Sequence, residues 1–378
     1  MAYVAEAPAP ERTPQWCGGD VKDGAGPKGW RGVGEHQEDW GELHTGKRPP
    51  AVFVLDVPAR SVAPLAGLPA EHSFGQPAWA PGGGGLVVVA WPHAPPNFAA
   101  TQRRLGIVFC FNRPSALYYS PLAADGAAAA VHLTPGLLSA SAPLFSPDGG
   151  ALLFLSHEAA AQSGVHSATV ALRRLPWGAG GAAAAAAAGA GGGRALVPVV
   201  HRPEGPQAFP GLYGAAFVDA PFISPSVLLI GSQWRCAGAI LAVDVASGAV
   251  WPVTDVSPAA GSWALQCVSA GVVLATLSRP GAPPALRLAR AEALAAPPPA
   301  AATGGAAPGA SYARAWVPAP GLAVDLAAEL PAVAAPLRAM ETRVLSIAPT
   351  VGDPAQVFEA LVHLPSDRRA RSSARALL

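Results

Sequence analysis

At 378 residues the chain is long enough for one large all-β domain or two to three ordinary ones, and 25 Lys+Arg against 24 Asp+Glu leave no field to steer it toward nucleic acid or an acidic membrane. Its longest apolar stretches, such as Leu86 to Trp91, are strand-sized, well short of the ~18 residues a membrane helix needs. Cys17, Cys110, Cys236 and Cys267 lie far apart with no CxxC pair, which argues against a zinc knuckle or a disulfide framework; Met1 to Pro10 has no basic-then-apolar pattern, so a cytoplasmic location is expected.

In chain order the recurring event is a turn followed by a short β-rich run. Val52-Phe53-Val54-Leu55-Asp56-Val57 reads as a strand ending in a turn, and Ala78-Trp79-Ala80-Pro81-Gly82 leads into Leu86 to Trp91. Ala116 to Leu122 is a further strand; Phe145-Ser146-Pro147-Asp148-Gly149 then leads into Ala151 to Leu155. Proline presets φ at the corner, and Asp or Gly lets the turn close, so these are strand-turn-strand units. Trp177 to Gly193 is an Ala/Gly tract, expected to be a solvated, flexible insertion. Ile223-Ser224-Pro225 leads into Val227 to Ile230, and Ala239 to Gly248 is a strand closing in a turn before the run Ala249 to Thr254. Ala291 to Ala310, rich in Ala, Pro and Gly, is read as a second flexible insertion. Helical periodicity is weak and confined to Leu322 to Met340, where Pro331 and Pro336 interrupt it.

The units are about four short strands long. Their turn starts at Pro81, Pro147 and Pro225 are more widely spaced than the roughly 40 to 50 residues of a compact propeller blade, so each interval holds one blade with an insertion or nearly two blades. Repeated four-strand units place a β-propeller ahead of a sandwich or barrel.

Four segments carry a family resemblance: Glu38-Asp39-Trp40-Gly41-Glu42, Val54-Leu55-Asp56-Val57, Gly75 to Gly82, and Arg104 to Tyr119 with its Phe109-Cys110-Phe111-Asn112-Arg113-Pro114 centre. In residues, order and spacing they resemble the acylaminoacyl-peptidases, or acylamino-acid-releasing enzymes, of the prolyl oligopeptidase clan. Weaker similarity continues through Ser146-Pro147-Asp148, Gly211-Leu212-Tyr213, Ala242-Val243-Asp244, Gly261-Ser262-Trp263 and Pro283 to Leu286. Tyr3-Val4-Ala5-Glu6 looks like the end of a family strand.

The resemblance implies an all-β fold, a partial β-propeller of four-stranded blades truncated before an α/β-hydrolase domain. Residues 1–348 would be propeller, incomplete at its N-terminal side, and 349–378 a linker, the first hydrolase strand at Phe358 to Pro365 and a disordered basic tail. In the complete enzyme a Ser-Asp-His triad in the hydrolase domain releases an N-acylated amino acid from a blocked peptide, and the propeller gates substrate access. The implied partners are that domain and N-acylated peptides, with homo-oligomers left open. A stand-alone propeller acting as an interaction scaffold is the alternative.

The residues themselves offer no catalytic group. A hydrolase nucleophile of this kind needs G-x-S-x-G, and the nearest approach, Gly309-Ala310-Ser311-Tyr312-Ala313, ends in Ala. Nine histidines are present, His93 among them, each expected to be a packing or surface residue; His36 and His44 are too far apart for a metal site, and no metal or cofactor is expected. Gly82 to Gly85 lacks a following Lys-Ser or Lys-Thr and reads as a hairpin turn. Trp40, Trp79, Trp91, Tyr118, Tyr119, Trp234 and Trp263 are expected between blades rather than along a substrate channel. Arg104 and Arg113 flank an apolar strand, and either could gate substrate by meeting an acyl carbonyl or carboxylate; a blade-stabilising hydrogen bond is the competing role. Arg368, Arg369, Arg371 and Arg375 belong to the basic tail.

Overall fold

The computed structural model describes residues 1–7, 50–69, 72–92, 111–122, 128–205, 208–257, 260–298, 307–321, 326–351 and 357–365. The Glu38–Glu42 motif, Trp40, His36, His44, His93, Arg104 and the arginine tail lie outside them.

Almost every element is a strand in an antiparallel sheet. Strands β1 (Ala2–Glu6), β2 (Pro50–Asp56) and β3 (Ser61–Pro64) pair in that order. The next sheet runs β4 (His72–Trp79), β5 (Gly85–Pro92), β6 (Ala116–Pro121), β7 (Val131–His132). A third contains β8 (Ser141–Phe145), β9 (Ala151–Ser156), β10 (Thr169–Pro176) and β11 (Arg194–Val197) in sequence order, with β12 (Leu212–Tyr213) also on β10. Then come the sheets β13 (Val227–Trp234), β14 (Ala237–Asp244), β15 (Val250–Pro252) and β16 (Ser262–Ser269), β17 (Val272–Arg279), β18 (Ala282–Arg290), β19 (Val317–Pro318). The last pair is β20 (Met340–Ile347) with β21 (Phe358–Pro365). Sheets of four strands, each strand joined to its sequence neighbour, are the blades of a β-propeller. The fold is all-β as expected, with short helices α1 (Glu158–Ser163), α2 (Gly181–Gly189), α3 (Leu326–Glu329) and α4 (Pro331–Arg338). No helix among the described residues is long and apolar enough to cross a membrane.

The residues form two compact units. One comprises Met1–Phe145, Gly149–Ser167 and Arg174–Arg194; the other comprises Ser146–Asp148, Ala168–Arg173 and Ala195–Leu378.

In the first unit, β5 shows why its sequence is a continuous apolar run. Successive side chains of a strand point to opposite faces. Val87, Val89 and Trp91 therefore join a core with Leu152 and Phe154 of β9, while Leu86, Val88 and Ala90 join a separate core with Val52 and Phe74. Both faces are buried, and an alternating polar pattern would have placed charge in one of them. The β4–β5 connection is the hairpin turn read from the glycines: Ala80 N–H donates to Gly85 O at 3.0 Å, and Gly82 and Gly83 adopt φ of 81° and 73°, open to glycine at little cost.

Two expectations are corrected by the structure. Trp177 to Gly193 is not a solvated loop: after a tight turn it forms α2, and Trp177 and Ala185 are buried in the β5/β9 core. Trp177 meets Tyr119 and Phe145 edge-on, at 5.4 and 4.9 Å between ring centres. Alanine is the best helix former, and a helix of methyl groups can approach a surface more closely than one bearing large side chains. The docking face consists of Ala182, Ala185, Ala186, Ala188 and Gly189, and smallness makes it a face. Trp79, expected in the core, is 41% exposed.

In the second unit the core gathers Leu229, Ile240, Ala242, Trp251, Val273 and Ala275. The Ala291 to Ala310 segment is anchored at both described ends. Ala291 and Leu294 are in this core, Trp251 Nε1 donates to Leu294 O at 3.3 Å, and Tyr312 OH donates to Ala296 O; residues 299–306 lie outside the described set. Trp316 Nε1 donates to Val253 O at 2.8 Å, so both indoles bury area without an orphaned donor. Of the other aromatics expected inside, Trp91 and Trp234 are buried, whereas Tyr118, Tyr119 and Trp263 are half-buried. The weak helical signal resolves into α3 and α4: Pro331 starts α4, where its missing N–H is harmless, and Pro336 is tolerated within it.

Candidate functional site

Several buried polar side chains of the first unit, Arg113, Ser115, Ser139, Ser156 and His157, lie around the family-like stretch Phe111 to Ser115, which leads into β6. Ser115 N–H donates to Leu138 O at 3.0 Å, and Ala140 N–H returns bonds to Ser115 O and Oγ at 3.0 and 3.1 Å. These bonds fix 111–115 beside the segment preceding β8.

Arg113 is 5% exposed, and its guanidinium lies 5.2 Å from the centre of the Trp91 ring. A guanidinium over an indole face is a cation–π contact, worth ~2 kcal/mol when desolvated. The contact gives Arg113 an aromatic partner within its blade. Arg104 lies outside the described residues. Replacing Arg113 by Met keeps most of the volume and removes the charge. Thermal unfolding of Arg113→Met should show a loss of about 1–2 kcal/mol, together with a shift in tryptophan emission from Trp91.

Around Phe111 sits a second group that sequence reading did not single out. Phe111 stacks on His157 at 4.4 Å and 16°, and faces His166 at 6.0 Å. His157 is 4% exposed, and its backbone N–H donates to Ser139 Oγ at 3.1 Å. Burial pushes its imidazole down to about 4, so the ring is neutral at pH 7. Glu158, next in sequence, accepts the N–H groups of Ser139 at 2.8 Å and Leu138 at 3.2 Å, and the Ser156 hydroxyl at 3.2 Å. Its carboxylate is occupied in holding two segments together. Asn112 Nδ2 donates to Gly164 O at 2.7 Å. Asn112 Oδ1 and His157 Nε2 are buried and lack a hydrogen-bond partner among the described residues. A neutral imidazole and an amide oxygen in that condition can hold a small polar group or a water. Contacts that join positions 46 apart, such as Phe111 with His157, leave no local mark on a sequence.

Ser311, in the nearest approach to a nucleophile pentapeptide, lies in the tight helical turn Ala310–Ala315 that seats Tyr312 in the core. Among the described residues no group of three or more His, Cys, Asp or Glu could hold a metal ion.

Successive antiparallel sheets built on apolar central strands define a propeller domain. Residues 1–296 match the family described as acylamino-acid-releasing enzyme, N-terminal domain, and the chain belongs to that family. It is 33% identical over 314 residues to acylamino-acid-releasing enzyme 2 of Oryza sativa subsp. japonica, covering 76% of this chain and 39% of that protein. The acylamino-acid-releasing enzyme of Rattus norvegicus is 31% identical over 252 residues, covering 66% of this chain and 31% of that protein. The chain thus spans between about a third and two-fifths of the length of these curated relatives. Among solved structures, a Porphyromonas gingivalis dipeptidyl peptidase 4 aligns at 12% identity and a TM-score of 0.43, covering 84% of this chain and 35% of that one. A puromycin-hydrolyzing peptidase of Mycobacterium tuberculosis aligns at 17% identity and a TM-score of 0.41, covering 65% and 34%.

Proposed function

We propose that this chain is the non-catalytic propeller portion of an acylaminoacyl-peptidase-like serine exopeptidase, which releases N-acylated amino acids from blocked peptides, and that its blades gate access to an α/β-hydrolase domain. The observation that carries this reading is the family match over residues 1–296. The relatives' greater length is room for a catalytic domain. On this reading residues 1–348 are propeller and 349–378 lead into the hydrolase domain. That boundary falls in the connection between β20 and β21, whose eight register pairs make them one hairpin. Leu345, Ile347 and Phe358 share one face of this hairpin and are 45–60% exposed, an apolar surface suited to burial against the hydrolase sheet. Selection by a propeller is steric before it is chemical. Arg113 would serve the gate by holding Trp91 in place, with Arg104 as the arm that meets substrate. Free Cys236 and Cys267 suit a reducing, cytoplasmic setting.

Two measurements test the reading. The chain alone should neither turn over a chromogenic acetyl-amino-acid substrate nor be labelled by a serine-reactive phosphonate; labelling would refute the non-catalytic assignment. Residues 1–365 should also replace the matching segment of the Arabidopsis thaliana relative. The chimera should cleave a short acetylated peptide at least ~10-fold faster than an acetylated 30-residue one, the size of effect a steric filter gives. Equal rates would leave the gating role without support, and an inactive but folded chimera would point to a scaffold.

A further inference from the structure

β13 and β14 are joined by a two-residue loop, Arg235-Cys236, between the paired ends Trp234 and Ala237. A two-residue hairpin loop with positive φ at its first position favours glycine there, because a Cβ crowds the backbone. The residue in that position is Arg235, at φ 54°. Such a conformation persists only where the surroundings hold it, and it concentrates at functional points.

The surroundings here come from far along the chain. Glu359 of β21 accepts the Cys236 N–H at 3.1 Å, a contact spanning 123 residues, and its other oxygen lies 3.6 Å from Arg235 Nη1. One loop therefore directs a backbone N–H and a guanidinium at one acidic group, whose side chain is 13% exposed. Six of the eight β20 residues are exposed.

We propose that Arg235, Cys236 and Glu359 form a conformational latch, in which the strained loop presents guanidinium and backbone N–H together so as to register the β20–β21 hairpin on the β13–β14 hairpin. The latch is built from this chain's own residues and is independent of any gating role. Burial and Glu359 also raise the Cys236 thiol from 9.0 to about 11. At pH 8 its reactive thiolate is then ~100-fold scarcer than that of an ordinary thiol. Cys236 is thus a reporter built into the latch.

The test uses the full 378-residue chain with Cys17, Cys110 and Cys267 replaced by Ser, so that iodoacetamide reads Cys236 alone. Alkylation at pH 8 should be slow. Glu359→Gln keeps the shape, removes the charge and should raise the rate at least tenfold, with faster amide exchange across 340–347 and 358–364 as a readout that a change in thiol acidity alone would not move. Arg235→Gly should also speed amide exchange across the hairpin while raising the thermal midpoint, because glycine relieves the loop; exchange is its readout, since the lost guanidinium also makes the Cys236 thiolate scarcer. It decides the matter should Glu359→Gln fail to fold. A higher midpoint with unchanged exchange would show that Arg235 acts within its own loop only, and exchange rates within twofold of the parent in both variants would overturn the latch.

Discussion

Lowering the pH from 7.5 to 5 is expected to remove about 2 kcal/mol of stability through His157 alone. In the fold burial holds this imidazole at about 4, whereas in the unfolded chain it titrates near its ordinary 6.5. The unfolded state therefore takes up a proton that the folded state refuses. The stability that depends on neutral His157 is fully present above pH 6.5, falls as pH drops through the interval, and stops changing below about 4. His132, lowered by burial and by neighbouring His72, acts in the same direction, so the parent's total pH dependence is not a clean measure of His157. The difference between parent and His157→Phe is. Phenylalanine keeps the ring stacked on Phe111 and leaves the backbone N–H to Ser139 intact, while removing the titrating group and its unpartnered Nε2. Urea unfolding at both pH values should show the variant losing about 2 kcal/mol less than the parent between pH 7.5 and 5. Equal losses in both proteins would mean that His157 is solvated and that its ring is not held against Phe111.

The largest single-residue effect is expected at Gly189, where alanine should destabilise the first unit by about 3 kcal/mol. Helix propensity alone predicts the reverse, since Gly to Ala inside a helix is ordinarily worth ~1 kcal/mol in favour of alanine. The position decides the sign. A Cβ on Gly189 would lie 1.7 Å from the Leu133 carbonyl oxygen, a backbone atom that cannot swing aside. Either α2 lifts from the β5/β9 core, uncovering Leu133 and Trp177, or β7 and the segment after it shift. Gly191→Ala is the control: its nearest contact would be at 3.8 Å, and its stability should stay within about 0.5 kcal/mol of the parent. Chemical denaturation of both variants checks the pair. A Gly189→Ala protein as stable as the parent would return the alanine tract to the status of a solvated insertion.

The two positions mark where sequence reasoning succeeds and where it stops. Proline-glycine and aspartate-glycine corners, such as Ala80 to Gly85 and Ser146 to Gly149, state their conformation locally, because φ is restricted at proline and positive φ is cheap only at glycine. The uninterrupted apolar run of β5 likewise states that both its faces are covered. Strand succession and the four-strand repeat were legible for these reasons, and the family through the resemblance carried by segments such as Gly75 to Gly82 and Arg104 to Tyr119. The alanine tract was misread because a docking face was sought among large side chains, whereas α2 docks by being small enough for Gly189 to touch a carbonyl. Pattern alone cannot separate that from a featureless loop.

Length, balanced charge, turn chemistry and apolar runs by themselves determined an all-β chain of propeller blades, since each of these is a property of residues close together in the chain. Tertiary structure alone decided which groups meet: Arg113 over Trp91, Phe111 on His157, and Glu359 under the Arg235-Cys236 loop 123 residues away. Those contacts fix burial and hence charge state. His157 is an ordinary histidine in the sequence and becomes a neutral one, held down to about 4, only when folding strips water from its ring.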